Sequence, residues 1–335
     1  MGTRSPDDAL VRKLAARATG CEPLGVKRFG TGTHHFVFEA MFGQREPVVI
    51  RMAAGQNRPT MSGAIELSRR LKPLGVPLPH IIDVGTLGSY AYVVLERLPG
   101  TDLGNLIHSL PDSSLDAIAA EVVRAQEITA RTGSEGRYGY AVTPADAPRE
   151  RWSQILLDNL ARSHRRIAGA GLFDPAVVDC VKDLVLSARS ELDKRPAIPF
   201  LHDTTTKNVI VRPDGGFSGI VDVDDLCFGD PRYAAALTLA SLVVSGGPVR
   251  YVDAWMNAAG FRADGLFYLY VTLFMVDFMS EHGQVFNGNA KPSSPENRTK
   301  LARIFATYCA DLRPMILGRQ PHRSRGSVSG GDAAC

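Results

Sequence analysis

The stretch His202-Asp203-Thr204-Thr205-Thr206-Lys207-Asn208-Val209-Ile210-Val211-Arg212-Pro213-Asp214-Gly215-Gly216-Phe217-Ser218-Gly219-Ile220-Val221-Asp222 decides the fold. Pro213-Asp214-Gly215-Gly216 is strong turn chemistry, and the apolar runs Val209 to Val211 and Phe217 to Val221 flank it, so the segment reads as a β-hairpin. Asn208 and Asp222 lie symmetrically about Gly215, which sets them opposite one another, or nearly so, at the open end of the hairpin. Asp203 falls on the loop leading in. A carboxylate, a carboxamide and a second carboxylate then meet at one mouth. Such an oxygen set suits Mg²⁺, which takes few protein ligands and keeps water and phosphate oxygens for the rest.

Asp-x-x-x-x-Asn followed by an Asp on the next strand is the order used in phosphoryl transfer. Downstream lie Gly219-Ile220-Val221-Asp222-Val223-Asp224-Asp225 and Gly229-Asp230-Pro231-Arg232-Tyr233. On these residues the chain resembles the aminoglycoside phosphotransferase family, a branch of the protein-kinase-like fold. Its members usually show His-Gly-Asp-x-x-x-x-Asn, a hairpin, an Ile-Asp-x-x-Asp-like segment and Gly-Asp-Pro. The resemblance implies that Asp203 is the catalytic base and that Asn208 and Asp222 hold the metal. Asp224 and Asp225 either assist at the metal or cap the next segment, and Asp230 is an architectural acceptor. The sequence departs from the pattern at Leu201, where the family has His, and at His202, where it has Gly. The resemblance runs from about Gly25 to Leu312, with its specific motifs between Leu201 and Tyr233.

A chain of 335 residues, 44% hydrophobic and 22% charged, is long enough for two core-bearing lobes and too long for a small binding module. Its longest weakly polar run, Tyr233 to Gly247, is too short and too polar to span a bilayer, and no secretory signal opens the chain. The expectation is a cytoplasmic protein without membrane attachment. Five scattered cysteines without a Cys-x-x-Cys pair fit reduced thiols. A net charge of +3, with no basic run interleaved with aromatics, argues against a nucleic-acid partner. The Gly/Ser-rich tail, residues 319–335, reads as disordered.

The segment 1–97 reads as a nucleotide-binding lobe. Gly30-Thr31-Gly32-Thr33 is a turn able to lay backbone N–H groups over phosphates, and Phe36 to Ala40 continues it as a strand. Pro47 to Met52 follows as the next strand. In the family's order Arg51 then falls where a Lys usually contacts the α- and β-phosphates, and guanidinium can bind phosphate with two N–H groups. A helix is predicted from about Met61 to Leu74. Its Glu66 either pairs with Arg51, as the resemblance implies, or faces solvent near the helix N-terminus, where the dipole favours it. Tyr90 to Glu96 is the last strand of the lobe, and the backbone of Glu96, Arg97 and Leu98 is the expected nucleobase contact.

The segment 98–318 reads as a mainly helical lobe that carries the hairpin and the acceptor. Helices are expected at Ser114 to Thr132, at Trp152 to about Lys194 with breaks near Gly169 and Pro175, and at Tyr233–Val244, Pro248–Ala259, Gly265–Met279 and Asn297–Leu312. Trp152 is assigned to packing. Asp277 and Glu281, four apart, repel on a helix face unless a cation lies between them. They are the candidates for binding a polycationic acceptor, the alternative being an exposed acidic face. The sequence thus predicts an α+β, two-lobed, protein-kinase-like enzyme. It would transfer the γ-phosphate of ATP or GTP, with Mg²⁺, to a small-molecule hydroxyl, an aminoglycoside or aminocyclitol first. A macrolide, a peptide antibiotic, a choline- or homoserine-like metabolite, or a silent nucleotide-binding relative are the alternatives.

Overall fold

The computed structural model describes residues 5–30, 35–286, 289–290 and 293–318. The tail assigned to disorder lies outside these residues. The chain opens with helix α1 (Asp8–Thr19), an element not among those expected. Its signals were present: Asp7 caps it by accepting from Leu10 N at 2.8 Å, Gly20 ends it in the left-handed region, and Val11, Leu14 and Ala15 share a buried face.

Strands β1 (Gly25–Phe29), β2 (Phe36–Met41) and β3 (Val48–Ala54) follow, then helix α2 (Arg58–Leu71) and strands β4 (Ile81–Leu87) and β5 (Tyr90–Glu96). They form one antiparallel sheet in the order β1-β2-β3-β5-β4. Central β3 is covered on both sides. Val48, Ile50 and Met52 pack with α1, whereas Ala53 packs with Met61 of α2. A strand covered on both faces normally reads as an unbroken apolar run. Arg51 interrupts it on the α2 side, in register between Val37 and Val93.

Beyond the sheet, β6 (Thr101–Asp102) and α3 (Leu103–Leu106) lead to α4 (Asp112–Ala130), β7 (Gly139–Ala141), α5 (Trp152–Ala170), α6 (Ala176–Ser187) and α7 (Arg189–Leu192). Strands β8 (Ile198–Phe200), β9 (Val209–Val211), β10 (Phe217–Ile220) and β11 (Leu226–Gly229) come next. Helices α8 (Arg232–Ser245), α9 (Arg250–Ala258) and α10 (Gly265–Glu281), the short strands β12 (Val285–Phe286) and β13 (Asn289–Ala290), and α11 (Pro295–Leu317) complete the fold. The result is the expected α+β architecture of a sheet lobe and a helical lobe. Its long helices lie within a few residues of their predicted bounds. Helix α10 is buried on nearly every side and runs through the core that holds Trp152, Tyr233, Tyr251 and Trp255. Trp152 is fully buried and donates to the Tyr270 hydroxyl at 3.0 Å, a packing role as expected. No described helix is long and apolar enough to cross a membrane.

The lobes meet at the hairpin. The linker crosses it at Gly100, with φ 109°, where a Cβ would lie 2.0 Å from the Val211 carbonyl oxygen, so only glycine fits. Strand β6 adds to the hairpin to give the order β10-β9-β6, and Ile220 N donates to Pro77 O at 2.8 Å. Hairpin register differs by one residue from the symmetric expectation. Val211 pairs with Phe217, but Ile210 pairs with Gly219, so Ser218 is extra and Asn208 bonds to Val221 instead of facing Asp222. A bulge bends a strand and re-aims the side chains beyond it.

Candidate active site

Asp203 lies on the loop between β8 and β9, and three ties shape that loop. The Gln126 side chain of α4 accepts from Leu201 N at 2.9 Å and donates to Leu201 O at 2.8 Å. It also donates to Thr204 Oγ1 at 3.2 Å. Asn208 Nδ2 donates to Asp203 O at 2.9 Å, and Thr205 Oγ1 donates to Asp203 Oδ1 at 3.0 Å. Asn208 thus spends its amide nitrogen on the loop, and its carbonyl oxygen is the atom suited to a metal. Leu201, in the family's His position, joins the core. His202 sets its ring edge-on against Tyr140, 5.0 Å between centroids, with Nδ1 3.3 Å from Asp225 Oδ1. The sequence offered no sign of Gln126, because a single Gln on an amphipathic helix reads as surface.

Asp222 follows the bulged strand in a left-handed conformation, φ 63°, and among the described residues it alone does so without being glycine. Backbone held there persists only when its surroundings enforce it. Its carboxylate meets Arg51. One guanidinium nitrogen, Nη2, lies 2.7 Å from Asp222 Oδ1, 2.6 Å from Asp224 Oδ1 and 2.6 Å from His35 Nδ1. His35 Nδ1 also lies 3.4 Å from Asp224 Oδ2, so the ring is held between the guanidinium and a carboxylate. Burial pulls the Arg51 pKa down, but Asp224 and Asp222 outweigh it and hold the guanidinium above its ordinary value. Helix α2 closes on this loop through Gly63, where a Cβ would lie 2.7 Å from Val142 Cγ2 and 3.1 Å from Asp224 O.

The expected pair between Arg51 and Glu66 is not formed. Helix α2 buries Met61, Gly63, Ala64, Leu67 and Leu71, and Glu66 falls outside that arc, exposed beside Ser62 and Arg69 in a groove against β4 and β5. Asp222 and Asp224 take its place at Arg51. Gly30 is exposed at the end of β1, and Thr31, Gly32 and Thr33 lie outside the described residues. At the linker, Glu96 exchanges backbone and side-chain hydrogen bonds with His80, both at 2.9 Å. Arg97 binds Glu39 at 2.9 Å and donates to Leu98 O at 2.8 Å and Gly100 O at 3.2 Å, so a side chain braces the linker backbone. Leu98 is buried.

The acidic pair assigned to a cationic acceptor is also rearranged. Asp277 Oδ1 accepts from Arg162 Nη2 at 3.1 Å and from Ser163 Oγ at 3.0 Å, so its charge is neutralised within the protein. Glu281 is half-buried at the last position of α10. Arg162 in turn donates to Asn159 Oδ1 at 2.9 Å, and Asn159 reaches the hydroxyls of Tyr233 at 3.0 Å and Tyr140 at 3.3 Å. This chain links α10 to the ring against which His202 packs. An open groove of about 460 Å³ beside it is lined by Arg162, Arg165, Arg166, Gly169 and Gln284. Asp230, by contrast, is the architectural acceptor expected. It is buried, takes the Arg232 guanidinium at 2.7 Å, and accepts from Tyr270 OH at 3.0 Å.

Asn208 thus ties the Asp203 loop on one side and accepts from Val221 N on the other, next to the left-handed Asp222 that holds the β3 cation Arg51. Residues 25–268 match the model of the phosphotransferase enzyme family. The chain belongs to that family. Solved structures agree in fold. An aminoglycoside phosphotransferase APH(4)-Ia mutant in ternary complex with ADP and hygromycin B is similar with TM-score 0.62 and 16% identity, over 93% of this chain and 99% of that one. A GDP complex of an aminoglycoside 2'-phosphotransferase-IIIa mutant gives TM-score 0.62 at 14% identity, covering 93% and 97% of the two chains. A putative fructosamine-3-kinase from Haemophilus somnus 129PT gives 0.61 at 12% identity, covering 89% and 96%. No curated protein matches this phosphotransferase in sequence. The protein-kinase-like fold and a kinase-type transfer therefore stand, at a similarity to solved structures that reaches no further than the fold.

Proposed function

We propose that this phosphotransferase moves the γ-phosphate of ATP or GTP to a hydroxyl of a small molecule. The observation that carries the reading is the loop geometry, in which Asn208 fixes the Asp203 backbone and Thr205 orients its carboxylate. Asp203 takes the proton from the acceptor hydroxyl as that oxygen bonds to the γ-phosphorus. The bond to the β,γ-bridging oxygen breaks, and the nucleoside diphosphate leaves with its electron pair. A loose transition state asks for positioning and charge neutralisation more than covalent chemistry. The carboxylate of Asp222 and the carboxamide oxygen of Asn208 fit Mg²⁺, which when bound would neutralise the β- and γ-phosphates. Arg51, beside Asp222 at 2.7 Å, serves the phosphates as a cation, and the turn at Gly30 to Thr33 and the linker from Glu96 to Leu98 hold the nucleotide.

Structural neighbours crystallised with hygromycin B or described as aminoglycoside enzymes support an aminoglycoside acceptor, and with it a resistance role. One observation favours a second reading. Asp277, one of the two carboxylates expected to grip a polycation, is spent on Arg162, and the groove beside it is lined by three arginines, which favours an acceptor bearing a carboxylate or phosphate. The test is nucleotide consumption with ATP and GTP against aminoglycosides, other antibiotics, sugar phosphates and hydroxy acids. Acceptor-dependent turnover should fall by about 10²- to 10⁴-fold in Asp203→Ala, with nucleotide affinity retained. Survival of turnover within tenfold of the parent would remove Asp203 as base.

A further inference from the structure

The Arg51 cluster holds more donors than nucleotide chemistry asks of it. Asp222 Oδ1, Asp224 Oδ1 and His35 Nδ1 all contact a single atom, Arg51 Nη2, at 2.6 to 2.7 Å. The donor atoms of these three residues lie within 4.8 Å of one another. They therefore surround one point, and the point carries positive charge. His35 and Asp224 are buried or nearly so, with side-chain exposures of 2% and 16%, whereas Asp222 is 52% exposed and opens the cluster to the cleft. His35 aims Nδ1 at the shared point, and in its neutral form an imidazole nitrogen there is a metal ligand.

From this we infer that His35, Asp222 and Asp224 form a mixed nitrogen–oxygen site for a first-row divalent ion, and that Arg51 and the ion compete for it. Each donor has to close by only about half an ångström to reach the roughly 2.1 Å of a metal bond. A site of oxygens alone favours Mg²⁺, but an imidazole donor raises affinity for ions such as Mn²⁺. The ion cannot enter while the guanidinium keeps the three donors. Displaced from them, Arg51 turns its charge to the nucleotide phosphates, which reward the move with charge-assisted hydrogen bonds. Metal and nucleotide binding thereby become coupled, each raising the affinity of the other by the same factor. The inference rests on the phosphotransferase reading in taking Asp222 to face the nucleotide's metal and Arg51 to meet the nucleotide's phosphates.

Binding of Mn²⁺ to the full chain, followed by electron paramagnetic resonance with and without a non-hydrolysable ATP analogue, tests this without any turnover. The spin-echo spectrum should carry a ¹⁴N modulation that changes when the protein is labelled with ¹⁵N-histidine. Arg51→Gln should bind Mn²⁺ without nucleotide at least tenfold tighter than the parent. His35→Gln should lose the nitrogen signal and about tenfold of the preference for Mn²⁺ over Mg²⁺, while its circular dichroism stays that of the parent. Mn²⁺ bound without imidazole coupling in the parent would overturn the mixed site yet leave the phosphotransferase reading intact. No gain in Arg51→Gln would overturn the competition. No Mn²⁺ binding in any variant, with or without nucleotide, would overturn both the site and the metal-dependent reading it extends.

Discussion

Two arginine–aspartate clusters in this molecule use the same chemistry for opposite purposes. At Asp230 the carboxylate is saturated: the Arg232 guanidinium, the Arg232 backbone N–H and the Tyr270 hydroxyl all donate to it, and both side chains are under a tenth exposed. At Arg51 the sharing runs the other way, with one nitrogen donating to two carboxylates and touching an imidazole, and Asp222 half open to the cleft. A saturated buried pair cannot exchange partners without stranding a charge. A crowded cation beside an open carboxylate can. The difference separates a structural pair from one poised for ligand, although Asp230 and Asp222 lie on the same short stretch of chain.

That contrast can be broken by experiment. The largest effect is expected at the buried pair, where Asp230→Ala leaves the Tyr270 hydroxyl without its acceptor and Arg232 with only the half-exposed Asp264 at 2.9 Å, and should cost about 3 kcal/mol of unfolding free energy. Urea denaturation reads this directly, and a cost below about 1 kcal/mol would mean that Asp230 is no more architectural than a surface pair. Asp222→Ala should be the mirror image. Stability changes by less than about 1 kcal/mol, because the site is partly exposed and Asp224 remains at Arg51. Nucleotide with Mg²⁺ should raise the melting temperature of the parent and leave that of the variant unchanged. If Asp222→Ala were as destabilising as Asp230→Ala, the contrast between the clusters would collapse. The smallest effect is expected at Glu66→Gln, which should alter kcat/KM by less than about twofold, since Glu66 is exposed and away from Arg51. A drop of a hundredfold there would mean that α2 turns Glu66 onto Arg51 during the reaction.

Much of the architecture was legible in the sequence. Apolar periodicity placed the long helices, and the Pro-Asp-Gly-Gly turn placed the hairpin, because both signals are local. The bulge at Ser218 was not, since a strand of three or four residues leaves its register open to a one-residue slip that only the partner settles. Helix α1 was missed although its cap and spacing were present. Asp277 and Glu281 were read as a cation grip from their spacing on one helix. The structure instead brings Arg162 to Asp277 from α5, a partner 115 residues away. Gln126 clamps the loop that carries Asp203 from 75 residues away and carried no signal at all.

By itself the sequence determined which candidate side chains share one short path of chain. Asp203, Asn208 and Asp222 fall within one loop and one hairpin, and the geometry of so short a path is set by turn residues and strand rise. The tertiary structure alone decided what those side chains face. Arg51 meets Asp222 across 171 residues and Asp224 across 173, and whether it met them or Glu66 depended on how the sheet lobe and α2 dock against the hairpin. Charges carry no address along the chain: they pair with whatever opposite charge packing brings within reach, and packing is a property of the whole fold.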